Sequence, residues 1–193
     1  MDDPRAPHGP DHASRWIERF AGLVPAGGTV LDLAAGGGRH ARLFLDRGHP
    51  VVAVDRDTPA LMRLAAARAT AAPALEVVEA DLEGGPWPLG DRRFAGVVVA
   101  NYLHRPLLAR LVAAVAPGGA LLYETFAVGN ERFGKPSNPD FLLRPGELLD
   151  AARPPLRVIA FEDVEIEAPR RAMVQRIAAV RPPHPVPGGD GLG

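Results

Sequence analysis

The chain of 193 residues has no cysteine and only one lysine, Lys135, among its 22 basic Lys and Arg residues. Without cysteine there is no disulfide, no thiolate metal site and no cysteine nucleophile. No apolar run is long enough to cross a bilayer, and the opening MDDPRAPHGPDHA has neither the basic nor the apolar region of a signal peptide. We therefore expect a soluble, cytoplasmic protein without a membrane partner.

An excess of charge of one sign is also missing, because the net charge is −1 and the basic residues form no cluster. This composition argues against a large nucleic-acid surface, which carries a basic stripe. The six histidines, at positions 8, 12, 40, 49, 104 and 184, do not have the spacing of metal ligands. We predict no metal site.

The residues that are present suit one folded domain. Hydrophobic residues make up 47% and charged residues 23% of the chain, as in soluble globular proteins. The polar residues 1–13 and the Pro/Gly-rich residues 182–193 cannot bury a core, and we predict that both are mobile tails. The domain is then expected to span residues 14–181.

Strand-like and helix-like segments alternate along this domain. Helices are predicted at 14–23, 38–47, 59–69, 106–115 and 144–152, with a turn at 117–119. Strands are predicted at 29–33, 51–54, 75–79, 94–100, 120–126, 156–166 and 172–180. The last two strands are joined by a short turn and must pair antiparallel. The pattern predicts an α/β fold: a Rossmann-like, doubly wound, seven-stranded sheet, mostly parallel with an antiparallel last strand, and with helices on both faces.

The stretch VLDLAAGGGRHARLF, residues 30–44, carries the clearest functional signal. Gly36, Gly38 and Ala41 satisfy G-x-G-x-x-G/A, and Asp55 ends the next strand, where a partner for ribose hydroxyls belongs. Asp32 would repel the pyrophosphate of a dinucleotide but attract the sulfonium and ammonium of S-adenosylmethionine (SAM). A plain structural turn, and a helix N-cap role for Asp55, are the alternatives.

These residues resemble the motifs of class I SAM-dependent methyltransferases, and the resemblance covers residues 14–180. VLDLAAGGG resembles the first motif, with Ala34 in place of its first glycine, which an alanine tolerates if its φ is negative. VVAVD and EADL resemble the second and third motifs, and APGGALL the turn and strand of a later one. The resemblance implies SAM as cofactor, held by Asp32, Ala34, Gly36, Gly38, Asp55, Arg56, Asp81, Leu82 and Asn101.

In this family Asp55 would bind the ribose, Asp81 would accept from the adenine amino group, and the Leu82 N–H would meet a ring nitrogen. A simple loop acid is the alternative for Asp81. After the fourth strand, ANYLHR shares only Asn101 with the motif of enzymes that methylate base amino groups, which counts against that activity.

Three residues are candidates for catalysis: His104, Tyr102 and Glu124. His104 has a reference pKa near neutrality and is either a general base or a histidine at a helix start bonded to backbone. Tyr102 packs on the adenosine or the substrate, or is an ordinary partly buried tyrosine. Glu124 is expected to face the site.

Residues 124–149 are too long and too aromatic for a tight turn. We hypothesise a substrate lid, with Phe126, Asn130, Phe133 and Lys135 as substrate residues and Lys135 recognising an anion. A surface loop without function is the alternative.

DLAAGGGRHA and VVAVDRD are similar to segments of small bacterial methyltransferases grouped with tellurite-resistance and other small-molecule enzymes. A small-molecule acceptor is our first expectation. An RNA or protein acceptor and a non-catalytic SAM-binding domain acting through a partner are the alternatives, with a nicotinamide oxidoreductase last.

Overall fold

A seven-stranded sheet forms the centre of the computed structural model, which describes residues 12–183. The sheet order is β3-β2-β1-β4-β5-β7-β6. Residues 1–11 and 184–193, which make up most of the two predicted tails, lie outside the described residues. The strands are β1 (Val30–Leu33), β2 (Val51–Asp55), β3 (Leu75–Glu79), β4 (Phe94–Ala100), β5 (Val115–Phe126), β6 (Arg157–Ile166) and β7 (Ala172–Val180).

The pairing of these strands confirms the predicted sheet. β1 pairs in parallel with β2 on one side and with β4 on the other, and β2–β3 and β4–β5 are also parallel. β7 is antiparallel to both β5 and β6. Because the chain builds outward in opposite directions from β1 and β4, the carboxyl ends of these two strands border the crevice where such folds bind ligands.

Helices cover both faces of the sheet, as predicted. Alternate strand residues point to opposite faces, so that Leu31 and Leu33 of β1 enter one core cluster and Val30 enters the other. The first cluster packs against α4 and α5, and the second against α1, α2 and α3. The helices are α1 (Arg15–Phe20), α2 (Arg39–Asp46), α3 (Pro59–Ala67), α4 (Leu108–Ala114) and α5 (Glu147–Ala152).

Helix α1 begins directly after Ser14, the first residue of the helix predicted at 14–23. The Ser14 hydroxyl accepts hydrogen bonds from the backbone N–H groups of Trp16 and Ile17, at 3.1 and 3.4 Å. The Trp16 indole N–H donates to the carbonyl of Ile177 in β7 at 3.2 Å. These contacts hold the start of the domain over the carboxyl end of β5, next to the crevice.

The predicted turn at residues 117–119 is wrong, because these residues continue β5 as a bulge against β4. Their backbone is paired on the other side: Gly118 N–H donates to the carbonyl of Arg181 at 2.9 Å, and Arg181 N–H donates to that of Gly119 at 2.8 Å. Residues 117–119 are therefore part of β5, and no turn separates them from the rest of the strand.

Two predicted helix boundaries are also wrong. The helix predicted at 106–115 opens with a 3₁₀ turn, Arg105–Leu107, and ends at Ala114, because Val115 already pairs with β4. The helix predicted at 144–152 starts only at Glu147, since Gly146 has a φ of +75° and the Glu147 N–H closes a turn onto the Arg144 carbonyl. None of the helices within residues 12–183 has the length and apolar character needed to cross a membrane.

Candidate active site

The turn after β1 is built from backbone that approaches its neighbours closely. Gly36 and Gly38 both have positive φ, +54° and +78°. A Cβ on Gly38 would lie 2.9 Å from a Leu61 methyl of α3, whereas a Cβ on Gly36 would meet no atom within 4 Å. The turn is therefore packed against α3 at Gly38 and leaves open space at Gly36, where a ligand can approach bare backbone.

Ala34 adopts a conformation that we did not expect from the sequence. We expected alanine to be tolerated there because its φ would be negative, but φ is +53°. In this left-handed region the alanine Cβ crowds the carbonyl oxygen, which costs about 1 kcal/mol. The position thus retains the geometry of the glycine that the first motif usually has, and it carries backbone strain.

Asp32 lies inside the fold and not on the pocket surface. Its side chain is 1% exposed, and its Oδ2 accepts a hydrogen bond from the Ala41 N–H of α2 at 2.8 Å. Burial raises the pKa of Asp32 to about 7, while the Ala41 N–H and the charge of Arg39 act in the opposite direction. The carboxyl group ties β1 to α2, and its contact with a ligand remains a prediction.

The predicted nucleoside residues meet at a pocket of about 210 Å³ beyond the ends of β1, β2 and β3. Asp55 accepts from the N–H groups of Gly36 at 2.7 Å and Asp57 at 2.9 Å, and the N-cap position of α3 is occupied by Thr58 instead. The pocket is lined by Ala34, Asp55, Arg56, Ala80, Asp81, Leu82, Glu83 and Tyr102.

Asp81 lies on the exposed rim of this pocket. Its Oδ1 accepts from the Glu83 N–H at 3.0 Å, and hydrogen bonds from Glu83 and Gly84 hold the pKa of Asp81 below its ordinary value. Asp81 is therefore ionised at neutral pH and available as an acceptor.

Tyr102 lines the same pocket, and its hydroxyl group is unpartnered among the described residues. The oxygen is buried and has no hydrogen-bond partner among the described residues. The backbone of Tyr102 is fixed, because the Tyr123 hydroxyl donates to its carbonyl at 2.8 Å. Burial, and then the nearby acids Glu83 and Asp81, raise the pKa of Tyr102 to about 12, so the group remains a donor at neutral pH. An adenosine, with two ribose hydroxyls and an amino group that can donate, fits a pocket that is lined by carboxylates.

A second and larger pocket has a volume of about 680 Å³. Asn101 lines the larger pocket, and the next residue, Tyr102, lines the smaller one. Asn101 has a φ of +57° and donates its N–H to the Glu124 carbonyl at 3.0 Å, so that the ends of β4 and β5 are joined. Consecutive residues at this bend therefore line different pockets.

Glu124 is the only acid among the described residues that line the larger pocket. It is half-buried, and burial raises the pKa of its carboxyl group. A hydrogen bond with Ser14 and the charges of Arg176 and Arg39 act in the opposite direction. A carboxylate with a raised pKa is a stronger base than one in water.

Five arginines that the sequence analysis did not single out line the larger pocket. They come from α1, from the start of α2, and from β7 and the turn before it. They come from separate stretches of the sequence that no local motif relates. They are Arg15, Arg19, Arg39, Arg170 and Arg176.

The three predicted catalytic residues are not brought together. Tyr102 lines the smaller pocket and Glu124 the larger one. His104 is half-buried at the start of the Arg105–Leu107 turn, and lines neither of the two pockets. Its charge acts on Asp81. The geometry favours Glu124 over His104 as the base for an acceptor.

The predicted lid lies beside the larger pocket. Of its four predicted substrate residues, Phe126 lines the pocket. Asn130 is 1% exposed, and its side chain bonds the Pro136 carbonyl and the Met173 N–H. Phe133 contacts the guanidinium groups of Arg132 and Arg171. Lys135 is exposed, and its carbonyl accepts from Arg170 at 3.0 Å. A role in substrate binding remains a prediction for all four.

Comparison with known proteins gives this arrangement a context. Residues 30–119 match the family described as "Methyltransferase domain". No curated protein matches the chain. The structure is similar to TehB from Haemophilus influenzae, with a TM-score of 0.67 and 14% identity, over 85% of this chain and 61% of that chain. This chain therefore spans less than two thirds of TehB.

Two further structures match most of both chains. An S-adenosylmethionine dependent methyltransferase from Mesorhizobium loti has a TM-score of 0.64 and 20% identity, over 90% of this chain and 100% of that chain. The glycopeptide N-methyltransferase MtfA complexed with S-adenosyl-L-homocysteine (SAH) has a TM-score of 0.55 and 25% identity, over 85% of this chain and 87% of that chain.

Proposed function

We propose that this chain, whose residues 30–119 match the family described as "Methyltransferase domain", is a class I SAM-dependent methyltransferase that methylates a small-molecule acceptor in the larger pocket. The observation that carries the proposal is that two consecutive residues after β4, Asn101 and Tyr102, line the larger and the smaller pocket respectively. A nucleoside in the smaller pocket and an acceptor in the larger one would meet there, beyond the carboxyl ends of β1 and β4.

The residues of the smaller pocket are assigned to the cofactor. Asp55 would accept from the ribose hydroxyls, Asp81 from the adenine amino group, and the Tyr102 hydroxyl would donate to the nucleoside. Ala34, Gly36 and Gly38 shape the turn, and Asp32 holds that turn to α2 through the Ala41 N–H. Arg56 and Leu82 complete the lining.

SAM supplies a methyl group bonded to a sulfonium, which is already activated for displacement. In the transfer, the acceptor atom would form a bond to the methyl carbon, the carbon–sulfur bond would break with its electrons passing to sulfur, and the acceptor would lose a proton. The protein has to align the acceptor and take up that proton. We assign the proton to Glu124, because it lines the acceptor pocket and burial raises its pKa.

The size of the larger pocket supports a small acceptor. Its volume of about 680 Å³ lies within the range of sites that enclose small ligands. MtfA, whose name describes glycopeptide N-methylation, agrees with an acceptor of small or medium size. An RNA acceptor would need a wider basic surface than a net charge of −1 suggests.

The test is calorimetric titration with SAM and SAH, followed by transfer of a radiolabelled methyl group to fractions of small metabolites, total RNA and total protein. We expect binding of both nucleosides and label in the metabolite fraction. Label in the RNA or protein fraction would show that the acceptor is RNA or protein and not a small molecule. Binding of SAM without any transfer would favour a non-catalytic SAM-binding domain. Binding of NAD(H) with no binding of SAM would overturn the proposal.

A further inference from the structure

The charge on the walls of the larger pocket is strongly one-sided. Among residues 12–183, five arginines line the pocket, against a single acid, Glu124. One of them, Arg176, is already neutralised, because its guanidinium pairs with Glu162 at 2.7 Å and stacks on the Trp16 ring at 4.9 Å. Arg39 and Arg170 alone carry more positive charge than Glu124, the one acid among the described lining residues, can balance.

Neither Arg170 nor Arg39 forms a salt bridge with a carboxylate within residues 12–183. Arg170 donates to the carbonyl of Lys135 at 3.0 Å and lies 4.9 Å from the centre of the Phe126 ring. Arg39 donates to the carbonyl of His12 at 3.4 Å. Each guanidinium is thus positioned by neutral partners, and each has further N–H donors for a ligand.

Apolar side chains form much of the remaining wall. Trp16 and Phe126 present aromatic surface, and Pro169, Ala172 and Val174 add aliphatic surface from β7 and the turn before it. A ligand that fills this volume must cover these groups with an apolar body. A simple inorganic anion would leave them in contact with water.

We propose that the acceptor is an organic acid: an apolar body that carries a carboxylate or a phosphate ester, bound by Arg170 and Arg39. This inference rests on the proposed methyltransferase function and specifies its substrate class. The planar guanidinium group matches the geometry of both oxyanions and binds them with charge-assisted hydrogen bonds. The anionic group would lie by the arginines, and the nucleophilic atom by Glu124.

Pairs of acceptors that share one apolar body and differ in charge show whether the protein recognises the anionic group itself. We suggest a transfer screen in which each aromatic or aliphatic carboxylate is paired with its uncharged amide and with the phosphate monoester of the same body. We expect kcat/KM to be at least about tenfold higher for the charged member of each productive pair. The carboxylate and phosphate arms identify which oxyanion is used.

Substitution of the arginines tests the assignment residue by residue. Arg170→Gln should raise KM for the charged acceptor about tenfold, leave its amide unaffected, and leave the Kd of SAH unchanged, since Arg170 is outside the smaller pocket. Arg39→Gln should do the same to KM. Because Arg39 directly follows Gly38 of the turn after β1, the SAH affinity of the Arg39→Gln variant is measured together with its KM. Arg110→Gln, at an exposed position of α4, is the matched control.

A second readout does not depend on turnover. The Kd of the charged acceptor for the SAH-loaded protein is measured by calorimetric titration. This Kd should be about tenfold higher in Arg170→Gln than in the parent protein, and it should rise with ionic strength. Equal kcat/KM for acids and amides, or an unchanged KM in both arginine variants, would overturn the inference and leave the methyltransferase function intact. Absence of SAM and SAH binding would instead remove the function itself, and the acceptor assignment with it.

Discussion

The Asp55 carboxylate accepts a hydrogen bond from the backbone N–H of Gly36, at 2.7 Å, and so connects the end of β2 to the turn after β1. The second oxygen of Asp55 accepts from the Asp57 N–H at 2.9 Å. These bonds fix the carboxylate at the edge of the smaller pocket before any ligand arrives. A preorganised acceptor loses less freedom on binding than one on a mobile loop.

Asp55→Ala should therefore weaken SAH binding by about tenfold to a hundredfold, because both the turn and the ribose lose an acceptor. Calorimetric titration with SAH measures the change. Asp57→Ala, which keeps the Asp57 backbone N–H and the Asp55 carboxylate, is the matched control and should bind normally. Equal affinities for the two variants would contradict the assignment of Asp55 to the nucleoside.

Ala34 provides a test of strain at the turn. Ala34→Gly should raise the free energy of unfolding by about 0.5 kcal/mol, since relief of the positive φ outweighs the added freedom of glycine in the unfolded chain. Ala35→Gly, at the buried neighbouring position, should lower it by about 1 kcal/mol through loss of a methyl group and gain of unfolded-state entropy. Urea denaturation measures both, and changes of the same sign would argue against strain at Ala34.

The unpartnered hydroxyl of Tyr102 predicts opposite effects on stability and on binding. Tyr102→Phe removes a buried polar atom with no partner among residues 12–183, so the free protein should be as stable as before or more stable. Its affinity for SAH should fall about fivefold to tenfold if the hydroxyl donates to the nucleoside. Tyr123→Phe, which loses the hydrogen bond to the Tyr102 carbonyl, should instead lower stability. Unchanged SAH affinity in Tyr102→Phe would show that the hydroxyl does not contact the ligand.

The buried carboxyl group of Asp32 predicts how stability depends on pH. Its pKa is raised from 3.8 to about 7, so between these values the folded protein holds a proton that the unfolded chain has released. The Asp32 contribution to stability is therefore full below pH 3.8 and is lost as the pH rises toward 7, by up to about 1.4 kcal/mol per pH unit.

Asp32→Asn isolates this contribution, because the amide oxygen can still accept from the Ala41 N–H but does not titrate. The difference in unfolding free energy between the variant and the parent should grow in favour of the variant from pH 5 to pH 7 and then level off. Denaturation series at several pH values measure it. A difference that is constant across the range would mean that Asp32 is ionised in the folded protein throughout.

Much of the fold could be predicted from the sequence because it depends on local signals. Alternation of apolar strands with amphipathic helices predicted the sheet, and Ser14 and the glycines after β1 marked a helix start and a ligand-binding turn. The bulge at residues 117–119 could not be predicted, because it is stabilised by pairing with Arg181, far away in the chain. A proline followed by two glycines indicates a turn, unless pairing with a neighbouring part of the chain holds these residues within a strand.

Residues of the candidate site could be predicted only where they belong to a sequence motif. Asp55, Asp81 and Leu82 gather at one pocket, as the resemblance implied. The burial of Asp32 was missed, since a carboxylate at a strand end gives no sign of which backbone N–H group it will meet. The arginine-lined wall was also missed, because it joins Arg39 to Arg170 and no local pattern relates residues so far apart.

Glu124 provides the test that separates catalysis from binding. If it takes the proton from the acceptor, it must be ionised to act, and kcat/KM should rise with pH through a carboxyl pKa that lies above the ordinary value. Glu124→Gln should lower kcat about a hundredfold and abolish this rising limb. KM for an acidic acceptor should not increase, because the only acid among the described lining residues of the arginine-rich pocket is removed. Glu18→Gln, at an exposed position of α1, is the control, and Glu124→Asp should restore part of the rate. A rate and pH profile that are unchanged in Glu124→Gln would mean that alignment alone drives the transfer and that the proton leaves to water.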